Sequence, residues 1–212
     1  MSYVAERRQE EKDRRRSEIV DAAIEVYREV DWDTVTIDQV AKRARLSRAL
    51  VYVYFKDKEE LHAAIVLRAF LLLASRFEEA SARARLGIDK VEAIGRAYVA
   101  YSHEFPHFFN ACARFEACGP QPGIPDTPIT ECFKAGAAVH DHVVHAIDVG
   151  QRDGSIRSDL GDPKTSSIAL WGFSHGLIQI AMNKANVLAH EGISVPQLVD
   201  HAVVMLRRML AR

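Results

Sequence analysis

The first 86 residues contain neither glycine nor proline; the first of each is Gly87 and Pro106. These two residue types break helices and mark loops, so a run of that length without them calls for helices joined by tight turns of other residues. Past that point the breakers cluster. Gly119–Pro128 (GPQPGIPDTP), Asp153-Gly154 with Gly161-Asp162-Pro163, and Gly192 with Pro196 read as three loops. Only the short Thr34-Val35-Thr36-Ile37 alternates with the period of a half-buried strand. The expected fold class is all-α.

Helical spacing recurs along the chain. Ile19, Ala22, Ala23, Val26, Tyr27 and Val30 form one apolar stripe on a helix expected near 15–30, and Ile88, Val91, Ile94, Tyr98 and Tyr101 form another. Ile168 to Ala181 is apolar almost all round and reads as a helix buried on both sides. Leu198, Val199, Ala202, Val203, Leu206, Met209 and Leu210 make a seam suited to packing on a neighbouring helix.

Composition narrows the function classes. With 48% hydrophobic and 27% charged residues, the chain is too apolar for wholesale disorder. A net charge of −1 excludes a uniformly basic nucleic-acid coat, so any such role belongs to a local patch. Residues 1–16 are highly charged and lack the apolar run of a signal peptide, and no apolar stretch is long enough to span a bilayer. Cys112, Cys118 and Cys132 are an odd count without paired spacing. Together these give the expectation of a reduced, cytoplasmic protein.

The chemistry concentrates between Thr34 and Leu61. Thr36 is placed to cap a short helix that buries Ile37, Val40 and Ala41 and ends at Ala44; Ser47 is placed to cap a second that buries Leu46 and Val51 and ends near Phe55. Two short helices separated by three residues are the ingredients of a helix-turn-helix, with the motif at about 37–56. Lys42, Arg43, Arg45, Arg48, Lys56 and Lys58 crowd this stretch beside Tyr52 and Tyr54, a density that suits phosphate contacts. A solvated basic surface has the same pattern.

This stretch resembles the N-terminal domain of the TetR family of transcriptional regulators. Thr36, Val40-Ala41, Ser47, Val51-Tyr52, Tyr54-Phe55, Lys58 and Leu61 stand in register with the family pattern across residues 17–62. Beyond it the likeness rests on helix count, loop placement and Trp171-x-x-x-His175-Gly176. The resemblance implies a three-helix DNA-binding domain at 17–62, preceded by a charged arm at 1–16 and followed at 63–212 by a larger helical domain for effector binding and dimerisation. It assigns DNA contacts to Thr36, Arg45, Ser47, Arg48, Ala49, Leu50, Tyr52, Tyr54 and Lys58, with Arg48 the candidate for guanine O6 and N7. Leu50 replaces a hydrogen-bonding Thr common in the family and is left to touch a thymine methyl or pack inward. Arg45 and Asp31 replace glycines; Asp tolerates a left-handed backbone, whereas Arg there costs on the order of 1 kcal/mol. Arg14, Arg15 and Arg16 could enter a minor groove as an arm, but Glu10, Glu11 and Asp13 dilute that positive charge, and a frayed, solvated extension of the first helix is the preferred reading.

In the larger half the resemblance implies an effector pocket and a dimer built by the last two long helices. Aromatic residues supply the pocket candidates Phe77, Tyr98, Tyr101, Phe105, Phe108, Phe109, Phe115 and Trp171, with His175 as polar handle. The dimer candidates are Trp171, Leu177, Leu198, Ala202, Leu206 and Met209. The expected partners are double-stranded operator DNA, a small apolar or amphiphilic effector and a second copy of the chain, with no membrane. His103, His107, Glu104, the three cysteines, His140, Asp141, His142 and His145 have metal-binding side chains, but Pro106 interrupts the His103–His107 spacing and no tight block forms. No metal, no cofactor and no enzyme is expected, since the chain has none of the G-x-S-x-G, P-loop or dinucleotide motifs. The reading is a one-component regulator, a repressor in first place. The alternatives are an activator of the same fold and a ligand-sensing helical protein acting through a protein partner.

Overall fold

The computed structural model describes residues 3–118 and 128–212. Its helices are α1 (Tyr3–Glu29), α2 (Ile37–Ala44), α3 (Arg48–Tyr54), α4 (Lys58–Ala82), α5 (Gly87–Glu104), α6 (Pro106–Cys118), α7 (Pro128–Asp153), α8 (Pro163–Asn183), α9 (Ala185–His190) and α10 (Val195–Leu210). Among the described residues there is no strand, only an isolated bridge between Ile156 and Ala211. The all-α expectation holds, and the proline-rich loop expected at Gly119–Pro128 lies, up to Thr127, outside the described residues.

The short alternating stretch at Thr34–Ile37 forms no strand: a 3₁₀ turn occupies Trp32–Thr34, and Thr36 caps α2 as its spacing predicts. The first helix extends back to Tyr3, beyond the stripe expected near 15–30. Its early turns hold no breaker and are laced by surface ion pairs at helical spacing, Arg14 with Glu11 at 2.6 Å and Glu18 at 2.9 Å, and Arg15 with Glu18 at 2.9 Å. Arg14 and Arg15 are thereby matched with carboxylates, which weakens the case for a basic arm.

The chain divides into two compact units: Met1–Ala69 with His107–Phe133, and Phe70–Pro106 with Lys134–Arg212. In the first, Ile19, Ala23, Val40, Val51, Phe55, Leu61, Ile65 and Phe109 are buried, and α6 therefore groups with the short helices rather than with α5. Burial of each large aliphatic or aromatic side chain contributes about 1.5–3 kcal/mol. In the second unit Val91, Ile94, Ile147, Ile178, Leu206 and Leu210 are buried. There α5 starts against α7 so closely that a Cβ on Gly87 would fall 2.0 Å from the Gly150 nitrogen, which requires glycine at the crossing.

Candidate nucleic-acid interface

The turn between α2 and α3 is built by capping chemistry. Thr36 Oγ1 accepts the Gln39 N–H at 3.3 Å, and Gln39 Oε1 accepts the Thr36 N–H at 2.7 Å, a capping box that opens α2. At the other end the Leu46 N–H donates to the Ala41 carbonyl at 2.9 Å and the Arg45 N–H to the Lys42 carbonyl at 3.2 Å. This six-to-one, five-to-two closure puts a left-handed residue between helix and turn. Arg45 fills that place at φ 57°, ψ 40°, the one non-glycine residue with positive φ among the described residues. Ser47 then caps α3, its Oγ accepting the Leu50 N–H at 3.2 Å. Asp31 does not go left-handed: it is extended at φ −62°, ψ 145°, and its carboxylate accepts the Asp33 N–H at 3.0 Å. A capped 3₁₀ turn does at the end of α1 what a glycine was expected to do.

Val51 is the one fully buried side chain of α3 and fixes which way the helix faces. The opposite face is exposed and carries Arg48, Ala49, Leu50, Tyr52 and Val53, while Tyr54 is half-buried. Arg48 lies 3.4 Å from Asp38 Oδ2 and 3.5 Å from the Tyr52 hydroxyl, with its guanidinium 5.6 Å from the Tyr52 ring centre. Contacts this exposed are weak, screened by solvent, so they bias the guanidinium without locking it. Val53 has no role in the sequence reading, yet it is 72% exposed. The signal was its i+4 spacing from Ala49, which puts both on one line of the helix surface.

Several basic residues already have partners within the chain. Arg16 donates to the Tyr54 carbonyl at 2.7 Å, reaches Glu60 Oε1 at 3.3 Å and lies 4.1 Å over the Phe55 ring. It therefore buttresses the end of α3 and is not part of a free arm. Arg43 turns onto α1, with Glu29 at 2.7 Å and Glu25 at 3.3 Å. Lys58 donates to the Asp33 carbonyl at 3.1 Å and sits 5.2 Å from the Trp32 ring centre, leaving two of its three donors for an outside acceptor. The Thr36 hydroxyl already faces Gln39 Oε1 at 3.0 Å, which a phosphate must displace to receive that proton.

Behind this layer Trp32 and His62 are buried with ring centres 4.8 Å apart. Neither Trp32 Nε1 nor His62 Nε2 has a hydrogen-bond partner among the described residues. Burial, with smaller contributions from Arg114 and Lys58, pushes the His62 imidazole down to about 4. Arg114 on α6 pairs with Asp33 at 2.7 Å, tying α6 to the 3₁₀ turn.

The pocket candidates divide between the units. In the second, Trp171 Nε1–H donates to the Tyr98 hydroxyl at 3.3 Å, and that oxygen lies 3.0 Å from His175 Nδ1. Gln179 Nε2 faces His175 Nε2 at 3.3 Å, and Asn183 donates to Gln179 Oε1 at 2.6 Å. Phe77 meets Tyr98 edge-on at 6.0 Å, and His140 meets Trp171 edge-on at 5.7 Å. Burial lowers the pKa of His175 and of His140, favouring neutral rings. Tyr101 is buried in this unit with its ring 5.6 Å from Phe105. Phe108, Phe109 and Phe115 are buried residues of the first unit, Phe115 against Phe133 at 4.8 Å. His140 joins the cluster only through the packing of α7 on α8, whereas Gln179 follows from its i+4 spacing to His175 on the same helix.

The dimer candidates do not share one face. Leu177, Ala202 and Leu206 line a groove with Val91, Gly95 and Val99 of α5 in the same chain, and Leu206 is only 7% exposed. Arg207 bridges to Asp89 at 2.7 Å and Arg96 to Asp200 at 3.1 Å, fastening α10 to α5 along that groove. Trp171 and Leu198 are half-buried, and Met209 is exposed together with Val204 and Met205. On α8, Ile168 and Ile180 are also exposed, so that helix is not buried on both sides within one chain.

No group of three or more metal-ligating side chains forms among the described residues. Helix α5 ends at Glu104 and α6 begins at Pro106, so His103 and His107 sit on different helices. Burial raises the Cys112 thiol well above its ordinary value and the Cys132 thiol to about 12, which suppresses thiolate reactivity; the Cys118 side chain lies outside the described residues. Among the described residues no helix is long and apolar enough to cross a membrane.

Residues 19–65 match the family model of bacterial regulatory proteins, tetR family. Over 47 residues the chain is 40% identical to the HTH-type transcriptional regulator HbdR of Aromatoleum sp. (strain CIB), a match spanning 22% of this chain and 20% of that relative. In fold, the chain is similar to a protein with unknown function from Rhodococcus sp. RHA1, with a TM-score of 0.77 and 21% identity over 93% of this chain and 95% of that one. It is also similar to the transcriptional regulator FadR from Bacillus subtilis in complex with stearoyl-CoA, with a TM-score of 0.68 and 16% identity over 90% and 96% of the two chains.

Proposed function

From the match of residues 19–65 to the tetR family of bacterial regulatory proteins, we propose that the chain is a member of that family: a one-component, cytoplasmic transcriptional repressor that binds a palindromic operator as a homodimer and is released by a small amphiphilic effector. It acts by binding and not by catalysis. In this reading 17–62 is the DNA-binding domain, 1–16 precedes it as a charged helical extension, and 63–212 binds effector and dimerises. The observation that carries it is the capped turn and outward face of α3: Val51 is buried while Arg48, Ala49, Leu50 and Tyr52 are presented to solvent.

Arg48 serves as the guanine reader, Ala49 and Leu50 face base edges, and Thr36, Arg45, Ser47, Tyr52, Tyr54 and Lys58 position the helix on phosphates. A single seven-residue helix reads few base pairs, so two copies at half-sites roughly 34–36 Å apart are needed. The apolar groups that one chain leaves exposed on α8 (Ile168, Ile180) and α10 (Val204, Met205, Met209) supply the surface for pairing. The effector site is proposed around Tyr98, Trp171 and His175 of the second unit, with Phe77 and Tyr101 as apolar lining. Since one relative in fold carries stearoyl-CoA, acyl-CoA thioesters are the first effectors to titrate. An effector acts by favouring a half-site spacing that no longer fits the groove, which requires a few kcal/mol of differential affinity.

The test is selection from a randomised duplex pool, followed by anisotropy titration at about 50 and 200 mM salt. Enrichment of an inverted repeat, with affinity falling steeply as salt rises, is the expected result. Absence of enrichment, with weak and salt-insensitive binding, refutes the reading in favour of a ligand sensor that acts on a protein.

A further inference from the structure

Resting on the DNA-binding reading, we propose that the centre of the recognition face reads thymine methyl groups, with Val53 as a specificity-determining residue beside Ala49. The exposed residues of α3 span one side of the helix. At 100° per residue, Arg48 and Tyr52 occupy one flank, Leu50 the other, and Ala49 and Val53 the middle. Arg48 and Tyr52 are the hydrogen-bonding side chains of that outward face, and they lie against each other on their flank. The middle offers only methyl groups. Val53 is 72% exposed, and no fold requirement holds it there, since Val51 already anchors the helix.

The major groove shows each base pair a set of donors and acceptors, and one apolar group, the C5-methyl of thymine. An apolar side chain against the amino group of cytosine or adenine, or the O6 of guanine, strips that group of water and gives nothing back. Against a thymine methyl it removes apolar surface from water on both sides. The face thus selects thymine under Ala49 and Val53 and leaves guanine to Arg48 on the flank. Charge complementarity seats the face on DNA: Arg45 at the turn and Arg48 are both exposed beside it.

The enriched operator from the selection above is resynthesised with deoxyuridine in place of each thymine in turn, which removes one methyl and nothing else. Wild-type protein and Val53→Ala are titrated against each duplex. Besides any loss at the thymine under Ala49, the expected result is a loss of about three- to fourfold for wild type at the thymine under Val53 in a half-site, the value of one buried methyl. Val53→Ala is expected to abolish that discrimination while keeping the preferences at all other positions. Its exposure leaves the fold unaffected. An enriched operator at which no uridine substitution matters overturns the inference and leaves the DNA-binding reading standing. Uridine sensitivity that persists unchanged in Val53→Ala overturns the assignment to Val53. If no operator is enriched, the underlying reading fails and this inference with it.

Discussion

Arg45 invites the most direct test of the turn. It sits at φ 57°, ψ 40° with an exposed side chain, and its backbone closes α2 through the Ala41 and Lys42 carbonyls. A Cβ in this region costs about 1–2 kcal/mol. Arg45→Gly removes that strain but gives the unfolded chain more freedom, which returns about 0.4–1 kcal/mol. The net gain is about 0.5–1 kcal/mol. Arg45→Ala keeps the Cβ and therefore the strain. Urea denaturation is expected to rank Gly above Ala by that amount, equivalent to about 1–4 °C in Tm for a chain of this size. Both variants lose the guanidinium, and a phosphate contact by Arg45 in each half of a dimer lowers the slope of log affinity against log salt by about 1.8. Stability of Arg45→Gly equal to or below that of Arg45→Ala refutes the strain argument. An unchanged salt slope refutes the phosphate contact while leaving the turn geometry intact.

Three further outcomes are expected. His62 is neutral in the fold, with its pKa lowered from 6.5 to about 4; its contribution is complete above pH 6.5 and is lost as pH falls through that window, by up to roughly 3 kcal/mol. In urea melts from pH 7 to 4, His62→Phe should remove this part of the pH dependence, and an unaltered slope means the imidazole is not the group responsible. Met205→Glu, at a 44% exposed position of α10, should yield folded monomers in sedimentation, whereas Leu206→Glu should unfold the protein by burying a charge against α5; intact Met205→Glu dimers would place the interface elsewhere. Arg16→Gln should destabilise the first unit by about 1–3 kcal/mol through loss of a charge-assisted bond to the Tyr54 carbonyl and of the cation over Phe55, and should weaken DNA binding without changing base preference. A shift in base preference would return Arg16 to the groove.

The recognition unit was legible because its signals are local. Thr36 and Gln39, and Ser47 and Leu50, lie within one turn of each other, and Val40 and Val51 each mark the apolar side of one short helix, so sequence spacing alone specifies caps and buried faces. Arg16 was misplaced because its partners, Tyr54 and Glu60, are 38 and 44 residues away and only the packing of α1 on the end of α3 brings them together. The same holds for Arg43, which spacing counted among the exposed cations although α1 presents Glu25 and Glu29 to it. For α10 the periodicity marked an apolar seam correctly, but one helix has two apolar flanks. A seam does not say whether α5 or a second chain covers it: Leu206 lies buried in the groove with α5, while Met205, outside the seam, is exposed.

These corrections bear on how so short a reader holds its shape. An isolated helix of seven residues is unstable in water, and α3 contributes only Val51 as a fully buried anchor. What remains must come from its ends. Ser47 satisfies the first turn, the left-handed Arg45 fixes the angle of entry, and the Arg16 guanidinium caps the Tyr54 carbonyl while covering Phe55. Two cations that composition assigns to DNA are therefore engaged in the scaffold, Arg16 at the end of α3 and Arg43 on α1. The outward face is left with Arg48 as its main polar side chain and a strip of methyl groups beside it. Sequence preference in such a protein should depend more on apolar contact than on charge: raising salt should weaken all duplexes together, whereas removal of a single thymine methyl should act at one position only.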